Sequence, residues 1–323
     1  MLHITNGDIA AGKLAAGDIS GTILPWRDVL TDGPVPGGHD LESLSAVRAR
    51  FLDEAFGDGE TALLGLKKRD AALRRAMAGT EALVLWFEHD LYDQLQVLQI
   101  LDVLAAADPW PPMEWICIDR HPAVADFRGL GQLTPRQLAD LFPTREPVDD
   151  ARLSLARRGW AAFTADDPVH LDNLLSEDLS ALPFLGGALR RWRQEFPWNG
   201  GGLGRTERTI LRNVAAGRIT PAVLFSAVLE AEEAPFLGDW SIWRRIADLC
   251  DAADPLLACD NDEGFRYPPK VPADAAFREQ RLRLTGLGRA VAEGAEAPPS
   301  AVPAERWYGG IRSVGGRVAP ARP

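Results

Sequence analysis

Six consecutive apolar residues, Ala82-Leu83-Val84-Leu85-Trp86-Phe87, run straight into Glu88-His89-Asp90. A segment that is apolar at every position has no face to turn to water. It reads as a strand buried on both sides, the habit of a parallel sheet covered by helices above and below. The flanking sequence agrees. Leu2-His3-Ile4-Thr5 reads as a short strand before a small-residue helix over about 9–16, and Thr22-Ile23-Leu24-Pro25-Trp26 as a second strand. Helices are expected over 41–56, 69–77 and 90–104, the last carrying Leu91, Leu95, Leu98 and Leu101 at helical spacing, and 114–118 as a further strand. Strands alternating with helices predict a mainly parallel, Rossmann-like α/β domain over 1–145.

Pro143-Thr144-Arg145-Glu146-Pro147 punctuates the chain there, and 146–199 reads as a helical connector. The cluster Asn199-Gly200-Gly201-Gly202 is the next break. Three amphipathic helices over 206–216, 221–231 and 239–252 precede strands at 255–259 and 281–285 and a helix over 286–293. That order predicts a winged-helix-like domain over 200–296. Residues 297–323 form a Pro/Gly-rich tail, expected to be disordered or loosely docked except where Trp307-Tyr308-Gly309-Gly310 suggests an anchor.

Charge narrows the partners. The net charge is −11, and residues 1–150 hold 13 basic and 24 acidic side chains, so that stretch carries the whole excess. Nucleic-acid affinity comes from neutralising phosphates, which an acidic surface opposes. Nucleic acid is thus an unfavoured partner for 1–145. Residues 200–294 hold 12 basic and 14 acidic residues, a poor balance for a duplex binder even with Trp243, Arg244 and Arg245 on the expected recognition helix. No run approaches the roughly 20 apolar residues that span a bilayer, so no membrane partner is expected. The first residues lack a signal-peptide pattern, and Cys117, Cys250 and Cys259 form no CxxC pair, which fits a cytoplasmic setting.

Ligands of open parallel sheets sit outside the carboxyl ends of the strands. Here the strands lead to Asn6-Gly7-Asp8, to Arg27-Asp28 with Asp32-Gly33-Pro34, to Glu88-His89-Asp90 with Asp93 and Gln94 one turn on, and to Asp119-Arg120-His121. Carboxylates beside an imidazole suit a divalent metal or a general acid–base pair; oxygen donors favour Mg or Mn, and the histidines admit Zn. Asp8, Glu88, His89 and Asp90 are the candidate catalytic or ligating residues, with Glu88 or His89 as general base. Asn6, Gly7, Arg27, Asp28, Asp93 and Gln94 are candidate ligand contacts, Asn6 orienting the ligand and Arg27 steadying an anionic group. The structural alternative is capping: Asp8 and Asp90 stand where N-caps stand, and Asp93 falls in a first turn. The stretch Gly7–Lys13 has the GxxxxGK spacing of a phosphate loop, but Leu14 replaces the hydroxyl residue and Asp8 puts a negative charge in the loop.

With these residues in hand, the chain resembles the bacterial family called domain of unknown function 1835. The likeness rests on LHITNGDIAAGKL (2–14), Trp26-Arg27-Asp28 with Asp32-Gly33-Pro34, and LWFEHDLYDQ (85–94). Downstream it rests on Phe196-Pro197-Trp198, GLGRTERTIL (202–211), Leu284-Thr285 to Gly288-Arg289, and Arg306-Trp307-Tyr308-Gly309-Gly310. The resemblance implies no catalytic residue; it marks Asn6–Asp8 and Glu88–Gln94 as signature segments. The expected function is metal-assisted hydrolysis or group transfer on a small polar or phosphorylated molecule. The alternatives are a ligand-sensing regulator or adaptor whose winged helix contacts DNA or a protein, and a purely structural interaction protein.

Overall fold

The computed structural model describes residues 1–323 except 58, 80, 198–201, 262–263, 267–274 and 319–323. Asn199, Gly200 and Gly201 of the expected break, Trp198, and Arg322 of the tail lie outside the described residues. The chain forms two compact units, Met1–Leu189 and Arg190–Pro323.

The first unit is mixed α/β. Its chain order is β1 (Leu2–Thr5), α1 (Asp8–Ala15), β2 (Thr22–Pro25), α2 (Leu41–Phe56), α3 (Gly59–Ala78), β3 (Leu83–Glu88), α4 (Leu91–Leu104), β4 (Met113–Ile118), α5 (Pro135–Leu141), β5 (Glu146–Pro147), α6 (Asp150–Thr164) and α7 (Val169–Leu175). The sheet order is β2-β1-β3-β4-β5, parallel through β4, with β5 antiparallel on β4. All six residues of β3 are buried, the five apolar ones as their unbroken run requires and Glu88 with them. Alternate residues of a strand face opposite ways. Val84 and Trp86 pack with Ile116, with Ala10 and Leu14 of α1, and with Leu130, Leu133 and Leu138. Leu83, Leu85 and Phe87 present the other face; α4 packs on β3 and is covered in turn by α6. A helix buried from both sides explains why α4 hides even Gln96 and Gln99. Trp86 finds an acceptor for its indole N–H in His3 Nδ1 at 3.1 Å, and burial holds the His3 pKa below the usual imidazole value.

Three local expectations are corrected. The helix expected over 69–77 is α3 and starts ten residues earlier, because Leu66, Leu73 and Ala76 are its buried apolar positions and charged neighbours mask that stripe. The segment 146–199 is not one helical connector. It opens with β5, and α6, α7 and α8 (Leu185–Arg193) are separated by Asp166-Asp167-Pro168 and by 176–184. It is also divided between the two units, since Met1–Leu189 is compact by itself.

In the second unit, α9 (Arg205–Ala215), α10 (Pro221–Glu230) and α11 (Asp239–Asp251) precede β6 (Leu257–Cys259), α12 (Ala275–Glu279), β7 (Leu282–Leu284) and α13 (Gly286–Ala292). β6 and β7 pair antiparallel. The third correction is the tail, whose described residues include an antiparallel sheet of β8 (Glu305–Tyr308), β9 (Ile311–Val314) and β10 (Arg317–Val318). Its anchor is chemical. Arg306 reaches the carboxylates of Glu207 and Asp248, and Tyr308 stacks on Phe196 with ring centroids 4.8 Å apart. Two side chains with internal partners thus hold a stretch whose Pro/Gly content suggests disorder.

Candidate functional site

The connection from β1 leaves toward β2 on one side, and that from β3 leaves toward β4 on the other. Between the carboxyl ends of β1 and β3 no crossover closes the edge, so a crevice opens there. Asn6-Gly7 follows β1 and Glu88 ends β3, and the sheet register sets Thr5 beside Trp86. Residues 82 positions apart in sequence therefore meet.

Three carboxylates converge at this point. Glu88, Asp90 and Asp93 each offer an oxygen within 4.8 Å of the other two, and all three are buried. Each is placed by backbone geometry. Glu88 is the last strand residue, turned to the same face as Trp86. Asp90 is the N-cap of α4 and accepts from the Asp93 N–H at 3.2 Å. Asp93, in the first turn, accepts from the Glu88 N–H at 2.6 Å. Capping and clustering are thus one arrangement here: the residues that start the helix are the residues that gather.

Asn6 is the side chain that bridges the group. Its Nδ2 donates to Glu88 Oε1 at 2.9 Å and to both Asp93 oxygens at 3.0 and 3.1 Å. The Leu130 N–H also donates to Glu88, and the Gln94 side chain donates to the Glu88 carbonyl at 2.7 Å. Gly129 lies so close that a Cβ there would strike the Glu88 carboxylate. These donors do not offset three negative charges out of water. Burial first, and the neighbouring carboxylates second, raise the pKa of Glu88 and of Asp93. Burial raises Asp90 as well, with Glu88 and Asp90 hydrogen-bonded to each other. The centre holds protons at a pH where ordinary carboxyls have lost theirs.

A cleft of about 350 Å³ stands over Glu88. Asn6, Gly7, Asp8, Tyr92, Arg128 and Gln132 are among its lining residues, with Asp90 and Asp93 behind that surface. Tyr92 donates to the Asn6 carbonyl at 3.4 Å. Tyr92, Arg128, Gly129 and Leu130 were not singled out by the sequence. Tyr92 carried a usable signal, lying on the helix turn after Glu88. Gly129 and Leu130 act through backbone and close approach, which residue type does not announce.

The other candidates stand elsewhere. Asp8 is the first residue of α1, whose N-cap is Gly7, so the capping reading of Asp8 is corrected. Its exposed carboxylate pairs with exposed Arg27 on the cleft's rim, and so the guanidinium is already engaged. Asp28 is buried against Arg48 at 2.8 Å and lies outside the carboxylate group. His89, next along the chain from Glu88, turns away from the centre: its ring packs edge-on to Phe184 and feels Asp119. Burial lowers its pKa. Gln94 steadies the end of β3, and its amide also touches Cys117 Sγ at 3.4 Å.

Among the described residues, no helix is long and apolar enough to cross a membrane. No protein-family model matches the chain, and comparison with curated proteins returns no match.

Proposed function

We propose that the first unit is a Rossmann-like enzyme domain that holds a divalent cation at Glu88, Asp90 and Asp93 and performs hydrolysis or group transfer on a small polar or phosphorylated molecule in the cleft above. The observation that carries this reading is the convergence of three buried carboxylates, within 4.8 Å of one another, at the crevice between β1 and β3. The donor chemistry fits a cation: all three are oxygen donors, the set that suits Mg²⁺ or Mn²⁺, and His89 points away, which leaves Zn²⁺ without a nitrogen ligand. A bound cation would supply Lewis-acid polarisation of a substrate oxygen. The chain's own part is to place the charges. Glu88 faces the cleft, and its carboxyl, protonated in the empty site, gives up that proton when the cation binds. Asn6 orients Glu88 and Asp93, and Tyr92 fixes the backbone of Asn6. The resemblance to the domain-of-unknown-function 1835 family is part of this proposal; two segments that carry the likeness, Asn6–Asp8 and Glu88–Gln94, are those that build the cleft.

Calorimetric titration with Mg²⁺, Mn²⁺, Ca²⁺ and Zn²⁺ tests it. The expected result is binding of Mg²⁺ or Mn²⁺ with proton release, lost in Asp93→Asn while circular dichroism stays unchanged. A ligand at about 100 times its dissociation constant adds about 2.7 kcal/mol, so a melting-point rise should accompany binding. Equal binding in wild type and Asp93→Asn, or none in wild type, would sink the assignment.

A further inference from the structure

Two free thiols, Cys250 and Cys259, lie in the second unit. Cys250 lies in the last turn of α11 and Cys259 ends β6, with eight residues between them. The helix packs on the strand, and the Leu256 N–H donates to the Leu249 carbonyl at 3.0 Å. That bond folds the intervening turn back, so the strand starts beside the helix end. Along β6, Leu257 and Cys259 are the buried positions, and the Cys259 thiol is close enough to that of Cys250 for each to influence the other's acidity.

We propose that Cys250 and Cys259 are a dithiol pair that oxidation closes into a disulfide, stapling α11 to the β6–β7 ribbon. The oxidant belongs to the peroxide class. A thiolate attacks one peroxide oxygen, the O–O bond breaks, and a sulfenic acid and one water result. The second thiolate then attacks that sulfur, the S–O bond breaks, the S–S bond forms, and a second water leaves. Two thiols and one hydrogen peroxide thus give one disulfide and two waters. Cys250 is the more exposed of the two and Cys259 the less strongly held as thiol, so the first step can fall on either. Burial pushes both thiols up, so both stay protonated at neutral pH and the reaction quickens as pH rises. The pair responds to sustained oxidation, and a reductant resets it.

The test treats the full chain with hydrogen peroxide, unfolds it, alkylates free thiols with iodoacetamide and maps the peptides by mass spectrometry. A linked Cys250–Cys259 peptide is expected, about 2 Da below the sum of its reduced parts, with Cys117 alkylated. Dithiothreitol should reverse the link, and it should form faster at about pH 9 than at about pH 7. Cys259→Ser should leave Cys250 as a sulfenic acid or further oxidised, without a link. Three alkylated cysteines after exposure sufficient to oxidise a free-cysteine peptide, or a link through Cys117, overturns the proposal.

Discussion

Glu88 owes its chemistry to where β3 stops. As the last strand residue it keeps the orientation of a core position, and it puts a carboxylate where Val84 and Trp86, four and two residues earlier, put apolar side chains. With Asp90 and Asp93 it forms a group whose folded-state pKa values are all raised. Such carboxyls hold protons at a pH where the unfolded chain has released them. Their contribution to stability is fully present below the ordinary carboxylate range and is lost as pH climbs through the raised values. The melting temperature is therefore expected to fall between about pH 5 and about pH 8 in metal-free buffer, and the slope to flatten in Asp93→Asn. A wild-type melting temperature that rises over this interval would contradict the shared-proton description. At this scale the sequence was half legible. Glu88, Asp90, Asp93 and Asn6 stand out as polar residues at strand and helix ends. That His89 turns away and Asp28 is consumed by Arg48 depends on strand phase and on a partner 20 residues along.

Strands and helices were more legible than their joins, because a strand announces itself by burial and a helix by its stripe. β1 and α2 have the bounds their apolar pattern predicts, β2 and β4 differ by one residue at an end, and β3 by one residue at each end. The loop after β2 is different. Arg48 of α2 forks onto Asp28 and donates to the carbonyls of Val29, Asp32 and Pro34, which fixes the turn from inside. Arg69 of α3 lies over the Trp26 ring at 4.1 Å and nears the same carboxylate. Nothing in the spacing of Arg48 marks it as a loop clamp, since arginine on a helix usually faces water. Both partners of the Arg48–Asp28 pair are fully buried. Removing one side of a buried pair leaves an uncompensated charge, so Arg48→Met should cost roughly 3–5 kcal/mol in urea unfolding. Arg48→Lys should recover only part of that, because an ammonium cannot reproduce the fork. A loss under about 1 kcal/mol for Arg48→Met would show that water reaches Asp28 in the folded protein.

At the scale of the whole molecule, the chain joins an α/β unit with a mostly parallel sheet to a helical unit bearing, among the described residues, two small antiparallel sheets. The alternation of strands and helices made the first legible. The tail's sheet was not, because Pro and Gly content describes turns as well as disorder and says nothing of Arg306. In the second unit that arginine meets Glu207, a carboxylate with 1% of its side chain exposed, beside Arg245. Burial opposes the charge on Glu207, yet the two guanidiniums hold its pKa below the usual carboxylate value. Arg306→Met is expected to destabilise this unit by roughly 3–5 kcal/mol. Hydrogen exchange read by mass spectrometry should speed up across α9, α11 and β8 while β1–β4 keep their protection. Unchanged exchange in α9 and α11 would mean that the tail sheet is not coupled to them.

β1 is synthesised before both of its neighbours in the sheet, yet it lies between β2 and a strand that begins at Leu83. During translation Asn6 must wait for about ninety residues before its partners on β3 and α4 exist, and the loop that brings them together is long. Closing such a loop gives up chain entropy before any contact is made, which slows assembly and leaves the edge of β1 exposed to other chains meanwhile. The acidic centre is therefore a late product of folding. In an emerging chain, its titration would signal that the sheet has closed.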